Sequence, residues 1–198
     1  CHSNHNSSNY DIFVVGMTDG NMYSEGQIPA SPMQTGVYQA FIQKVNIVSL
    51  EVLWTYQLGA YLEEDEELSD DYLPHIHGMS CAVTPDGEQV YLAGTAENGA
   101  TVTLDGSAAA TSSAGKDDSL VAQFQSSNGE VVWVEQMGTK EDDSLAHGKG
   151  IVCDKEGHAI ILGNTRGSFL QEKQQERVGT TNDMMIIMVD RATGEHLE

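Results

Sequence analysis

Val52-Leu53-Trp54-Thr55-Tyr56-Gln57-Leu58-Gly59 returns 79 residues later as Val131-Val132-Trp133-Val134-Glu135-Gln136-Met137-Gly138. A second series, Gly16-Met17-Thr18, Gly94-Thr95-Ala96 and Gly163-Asn164-Thr165, is spaced by 78 and then 69 residues. Each match lies in a run that alternates apolar and polar residues with the period of a half-buried strand. Strand-like pieces in a fixed order at a long period are the mark of stacked or radially arranged units.

Working outward from the tryptophans, each unit reads as strands joined by tight turns. Ser80-Cys81-Ala82-Val83-Thr84 and Gln89-Val90-Tyr91-Leu92-Ala93-Gly94 flank Pro85-Asp86-Gly87, where proline presets φ and glycine accepts a positive φ. Ser119 to Phe124 and Glu130 to Val134 flank Ser126-Ser127-Asn128-Gly129, and Asn-Gly is a strong hairpin signal. The third unit repeats the order, with Lys155-Glu156-Gly157 and Arg191-Ala192-Thr193-Gly194 as its turns. No segment holds a 3.6-residue apolar period over three turns, which excludes a helical solenoid. The fold expected is therefore all-β, with four-stranded antiparallel sheets arranged as β-propeller blades. The organisation expected is a polar tail over 1–9 and a repeat segment over 10–198. That segment divides into a partial blade 10–60, a blade 75–139 and a partial blade 146–198. A closed ring needs about four blades or more. About two and a half are expected here, so the ring would be completed by a longer chain or by other copies.

The same residues resemble a known family. Gly16-Met17-Thr18, Ile28-Pro29, Thr35-Gly36-Val37-Tyr38-Gln39 and Ala40-Phe41-Ile42-Gln43-Lys44-Val45-Asn46 resemble one repeat of the SBBP β-propeller family. Asp118 to Phe124 and Asp183 to Asp190 look like further copies of its last element, and Gln39 stands where the family usually has Asp. The turn followed by Gly-x-x-x-Trp also looks like the tryptophan docking element of quinoprotein-type propellers. The resemblance implies a secreted or cell-surface protein. It implies no activity, because function resides in sites rather than folds.

Bulk composition narrows the partners. The 198 residues hold 9 Lys and Arg against 30 Asp and Glu, a net charge of −21. Such a surface repels phosphate backbones and anionic lipid and favours cations and basic proteins. No apolar run is long enough for a membrane span. Of three cysteines, Cys81 and Cys153 fall in apolar runs and are expected as small buried hydrophobes rather than as a bridge. Cys1 is the odd thiol. Asn6-Ser7-Ser8 is a glycosylation sequon.

Candidate chemistry is sparse. No nucleophile elbow, Walker loop, dinucleotide fingerprint or zinc-spaced Cys/His set occurs. Trp54 and Trp133 are expected to fill the wedge between neighbouring blades. His75-x-His77 places two imidazoles on one face of an extended segment, and His77 and His147 are expected at equivalent places in successive units, each before an equivalent glycine, Gly78 or Gly148. Convergence of His75, His77 and His147 would offer a transition metal neutral nitrogens; the plainer reading is metal-free loop histidines. The acidic run Glu63-Glu64-Asp65-Glu66-Glu67 could gather Ca²⁺ loosely but lacks EF-hand spacing. Asp118 and Asp183 are expected to bond backbone amides of the turn before them.

The function expected is a non-enzymatic extracellular or cell-surface scaffold or binding module that needs no cofactor. Its partner would be a protein or glycan held by the loops 19–39, 101–116 and 168–182. The alternatives are a metal- or quinone-dependent enzyme centred on the channel and a structural subunit of a surface filament or large assembly.

Overall fold

The computed structural model describes residues 11–22, 36–61, 73–104, 110–145, 150–167 and 182–197. The expected tail, Asn6, the acidic run 63–71 and His147 lie outside them. The described residues are all-β, in antiparallel sheets with no helix, so none is long and apolar enough to cross a membrane.

Three sheets follow one another along the chain. The first has the order β1 (Asp11–Thr18), β2 (Gln39–Asn46), β3 (Glu51–Tyr61) and β6 (Thr101–Thr103). The second has β4 (His75–Val83), β5 (Gln89–Glu97), β7 (Asp118–Gln125) and β8 (Val131–Met137). The third has β10 (Ile151–Cys153), β11 (Ala159–Thr165), β12 (Asp183–Val189) and β13 (His196–Leu197), with β9 (Asp143–Leu145) also on β11. Strand β6 was expected as loop. It crosses instead to the first sheet, pairing Val102 with Ala60, and its apolar Val102 is fully buried there.

Cross-strand register makes the repeats equivalent. Gly16, Gly94 and Gly163 face Phe41, Leu120 and Met185. Two residues on, Thr18, Ala96 and Thr165 face Gln39, Asp118 and Asp183. In this frame β1-β2-β3 of the first sheet match β5-β7-β8 of the second and β11-β12-β13 of the third.

Because alternate residues of a strand point to opposite faces, the second sheet has two apolar faces and buries both. Val90, Leu92, Leu120, Ala122 and Phe124 pack with Phe13, Ile42, Trp54 and Leu58 of the first sheet. Tyr91, Ala93 and Val121 pack with Ile151, Ile161, Met185 and Ile187 of the third. Each core removes several large aliphatic side chains from water, at about 1.5–3 kcal/mol apiece.

The tryptophans join successive sheets. Trp54 of the first sheet donates its indole N–H to Ser126 O of the second at 3.2 Å, and Trp133 donates to Arg191 O of the third at 3.1 Å. Each ring lies against the turn glycine three residues after its acceptor, Gly129 or Gly194, at positive φ. A Cβ on Gly129 would stand 2.6 Å from the Trp54 ring. Each tryptophan also meets an aromatic ring of its own sheet at 5.7 Å, Phe13 or Tyr91. A second donor accompanies each indole at register-equivalent positions: Lys44 Nζ reaches Ser126 O at 3.1 Å, and Gln123 Nε2 reaches Arg191 O at 3.1 Å.

Cys81 departs from the expectation of an unbridged side chain, whereas Cys153 keeps it. Cys81 is disulfide-bonded and Cys153 is a free thiol. The two do not meet because they serve different cores: Cys81 packs on the cluster between the first and second sheets, Cys153 on that between the second and third. Cys1, outside the described residues, is the one other cysteine in the chain.

Candidate functional site

The sheets share two ends. At one lie the tryptophan-bearing turns. At the other, the strand ends carrying the Gly-Thr landmarks run into the long connections. That this second end is common to neighbouring sheets follows from hydrogen bonds between them. Ile76 N–H donates to Tyr38 O at 2.9 Å, Asp143 N–H to Asp117 O at 2.6 Å, and Leu145 N–H to Thr95 Oγ1 at 3.3 Å.

Two glutamines fasten the connections here. Gln57 accepts from Met22 N–H at 2.9 Å and donates to Gly20 O at 3.0 Å. Gln136, at the same place in the next repeat, donates to Ala100 O and to Asp118 Oδ2, both at 2.8 Å. Asp118 is fully buried and takes Ala114 N–H at 2.9 Å, which is the role expected of it toward the preceding turn. Asp183 is exposed, and most of the connection before it lies outside the described residues.

His75 and His77 lie together at this end, at the start of β4, the strand that enters the second sheet. β4 pairs His75 with Glu97 and His77 with Thr95. The two imidazoles stack with centroids 5.9 Å apart, and Tyr38 lies edge-on to His77 at 6.0 Å. His75 Nδ1 accepts the Tyr38 backbone N–H at 3.0 Å. In the neutral ring this leaves the proton on Nε2, a tautomer with no lone pair for a metal. Burial, with His77 next, holds the His75 pKa below its ordinary value. His77 differs: its Nδ1 lies 3.1 Å from Glu97 Oε1, and its buried Nε2 has no hydrogen-bond partner. The hydrogen bond from His77 holds Glu97 below the usual carboxylate range. The arrangement is an imidazole oriented by a carboxylate, its second nitrogen bare.

Register also shows how His147 relates to this pair. Gly78 faces Gly94, but Gly163 faces Leu145, not Gly148; the third-sheet counterpart of His77 is Ser144. Four residues, 146–149, separate Leu145 from Gly150 where Met79 alone separates Gly78 from Ser80. Among the described residues no group of three or more His, Cys, Asp or Glu could hold a metal ion. Trp54 is 8 % exposed and Trp133 is partly buried, so Trp54 in particular offers no open ring to a sugar. Glu97 carried no sequence signal, and Tyr38 stood out only within the Thr35-Gly36-Val37-Tyr38-Gln39 element, with nothing to link it to the histidines. Gln57 and Gln136 did carry one, as repeated letters.

No protein-family model matches the chain, and no curated protein is significantly similar to it.

Proposed function

We propose that the three sheets are successive blades of a β-propeller and that the protein is a non-enzymatic scaffold or binding module, extracellular or at the cell surface. The observation that carries the reading is the repeated tryptophan junction. The same indole donor, the same carbonyl acceptor and the same turn glycine join the first sheet to the second and the second to the third. Equivalent junctions bring equivalent strand ends together, and the connections expected to hold the partner, 19–39, 101–116 and 168–182, which lie largely outside the described residues, leave from those ends; such connections are where recognition residues sit. The disulfide at Cys81 supports an oxidising compartment. The acidic charge favours a basic protein over nucleic acid.

The test is a screen of the purified chain against immobilised glycans and basic extracellular proteins, beside the variants Glu141→Lys at the connection end and Glu130→Lys at the turn end, both exposed positions. Binding weakened by the first and kept by the second is expected. Binding that responds only to Glu130→Lys would contradict the reading.

One observation favours a second reading, a metal-dependent enzyme: the bare Nε2 of His77 behind its Glu97 partner. Stoichiometric transition metal in purified protein, lost in His77→Ala, is the result that would replace the first reading with this one.

A further inference from the structure

The chain holds two Asn-Gly pairs, Asn98-Gly99 and Asn128-Gly129. Such a pair is chemically labile, because glycine has no side chain to hinder its nitrogen from attacking the asparagine carboxamide. The two pairs are held differently. At Asn98 both reacting groups are tied to distant parts of the chain. Its Nδ2 donates to Leu73 O at 2.9 Å, and Gly99 N–H donates to Lys116 O at 2.5 Å. At Asn128, exposed at its hairpin tip, the bonds are local. Oδ1 accepts Glu130 N–H at 3.0 Å and Nδ2 reaches Glu130 Oε2 at 3.5 Å. The first is an Asx turn, which lays the carboxamide over the Gly129 peptide. A donor on Oδ1 also stabilises the charge that gathers there when the carbonyl carbon is attacked.

One restraint opposes ring closure at Asn128. Gly129 N–H, whose nitrogen would attack, is given to Gln125 O at 2.9 Å. The tryptophan junction holds that restraint in place. Gly129 is buried while Asn128 and Glu130 on either side are exposed, because the Trp54 ring lies on it. The Trp54 indole N–H and Lys44 Nζ both bond Ser126 O in the same turn. Freeing the Gly129 nitrogen therefore requires the turn to come away from the first sheet, a local opening.

We infer that Asn128 is a site of spontaneous deamidation, that the Trp54 junction sets its pace, and that the product unlatches the junction. The Gly129 nitrogen attacks Asn128 Cγ, and the new N–Cγ bond closes a five-membered succinimide. The Cγ–Nδ2 bond breaks, and Nδ2 leaves as ammonia with the proton that Gly129 gives up. Water, the one co-reactant, then opens the ring at either carbonyl and leaves aspartate or isoaspartate. Isoaspartate routes the main chain through Cβ and lengthens the turn by a methylene. Gly129 sits where even a Cβ would stand 2.6 Å from the Trp54 ring, so the longer turn cannot seat there. Both products set a second carboxylate beside Glu130 in a chain whose net charge is already −21. The inference depends on the junction and is independent of what the connections bind.

The experiment ages the full chain at neutral pH and follows both asparagines by peptide-mapping mass spectrometry, with isoaspartyl methyltransferase labelling for isoaspartate. In the native chain Asn128 is expected to convert ahead of Asn98. In urea both convert, faster than in the native chain and at similar rates. Trp54→Phe keeps a ring and removes the donor. It is expected to speed Asn128 by about 5–30-fold, the factor by which a small loss of stability raises an opening equilibrium, and to leave Asn98 unchanged. Should that variant unfold and speed both sites, Lys44→Met, which removes the other donor to Ser126 O, is read in its place. The converted fraction, separated by its added charge, is expected to show one tryptophan newly open to quencher. Three results overturn the inference: a native Asn128 that stays an amide while the unfolded chain converts, an Asn128 rate unchanged in the folded variant, or a converted fraction with both indoles still shielded.

Discussion

Trp54 and Ser126 stand 72 residues apart in the chain and share a hydrogen bond of 3.2 Å from the indole nitrogen to the backbone carbonyl. Trp133 and Arg191 repeat it at 3.1 Å. Replacing Trp54 by Ala removes this bond and empties a site lined by Phe13 and Phe124. Such a change costs about 3–5 kcal/mol. Gly129→Ala attacks the same contact from the other side and costs more than about 1 kcal/mol, because φ is +76° and the ring blocks the new methyl. Urea unfolding followed by fluorescence checks both. A Gly129→Ala protein as stable as wild type would contradict the packing.

Gln136→Leu keeps the volume and removes the amide. Ala100 O and Asp118 Oδ2 each lose a donor. Asp118 Oδ2 keeps Ser113 Oγ and Ala114 N–H, so the expected destabilisation, about 1–3 kcal/mol, is chiefly that of the buried Ala100 carbonyl losing its donor. Gln57→Leu acts alike on Gly20 and Met22. Urea midpoints unchanged in both variants would show that the glutamines fasten nothing.

Acidification weakens the fold through His75 and Glu97. The folded pKa of His75 lies below its ordinary 6.5, so below that pH the unfolded chain binds a proton that the folded chain refuses. Stability therefore falls from about pH 6.5 down to the folded pKa of His75. Protonation also makes Nδ1 a donor facing the Tyr38 N–H. Glu97, depressed by its bond from His77, adds a loss below its ordinary 4.5 as pH falls through its folded value. Urea midpoints at pH 7.5 and 5.5 should differ, and His75→Gln should narrow the gap. A midpoint that rises on acidification would contradict this.

Cysteine chemistry separates the two cores. Burial, then Asp154, pushes the Cys153 thiol up to about 12, so the native protein should resist thiol reagents at pH 8. Unfolding without reductant should release one reactive thiol, and reductant the rest of the three. Reduction should cost about 2–5 kcal/mol, in the range of native disulfides. Rapid labelling of the native chain would contradict the burial of Cys153.

The sheets were legible in the sequence because fixed landmarks recur at near-constant spacing: Gly16, Gly94 and Gly163 do align in register. The site was not legible, because its contacts run across strands. Nothing in the sequence pairs His77 with Glu97 or brings Tyr38 to His75. The expected equivalence of His77 and His147 fails for a related reason. The chain between Leu145 and Gly150 is three residues longer than the bulge at Met79, so Gly148 falls three residues after the register counterpart of Gly78 in the sequence. Strand β6 escaped notice because three residues in a small-residue run carry no period.

The central claim is that both tryptophans lock one sheet onto the next. The indole N–H protons report on it directly, and with only two tryptophans both are resolvable by isotope-edited NMR. Hydrogen exchange should be slow at both, with protection lost only on global unfolding. Exchange of either proton at the rate of free indole would contradict the account.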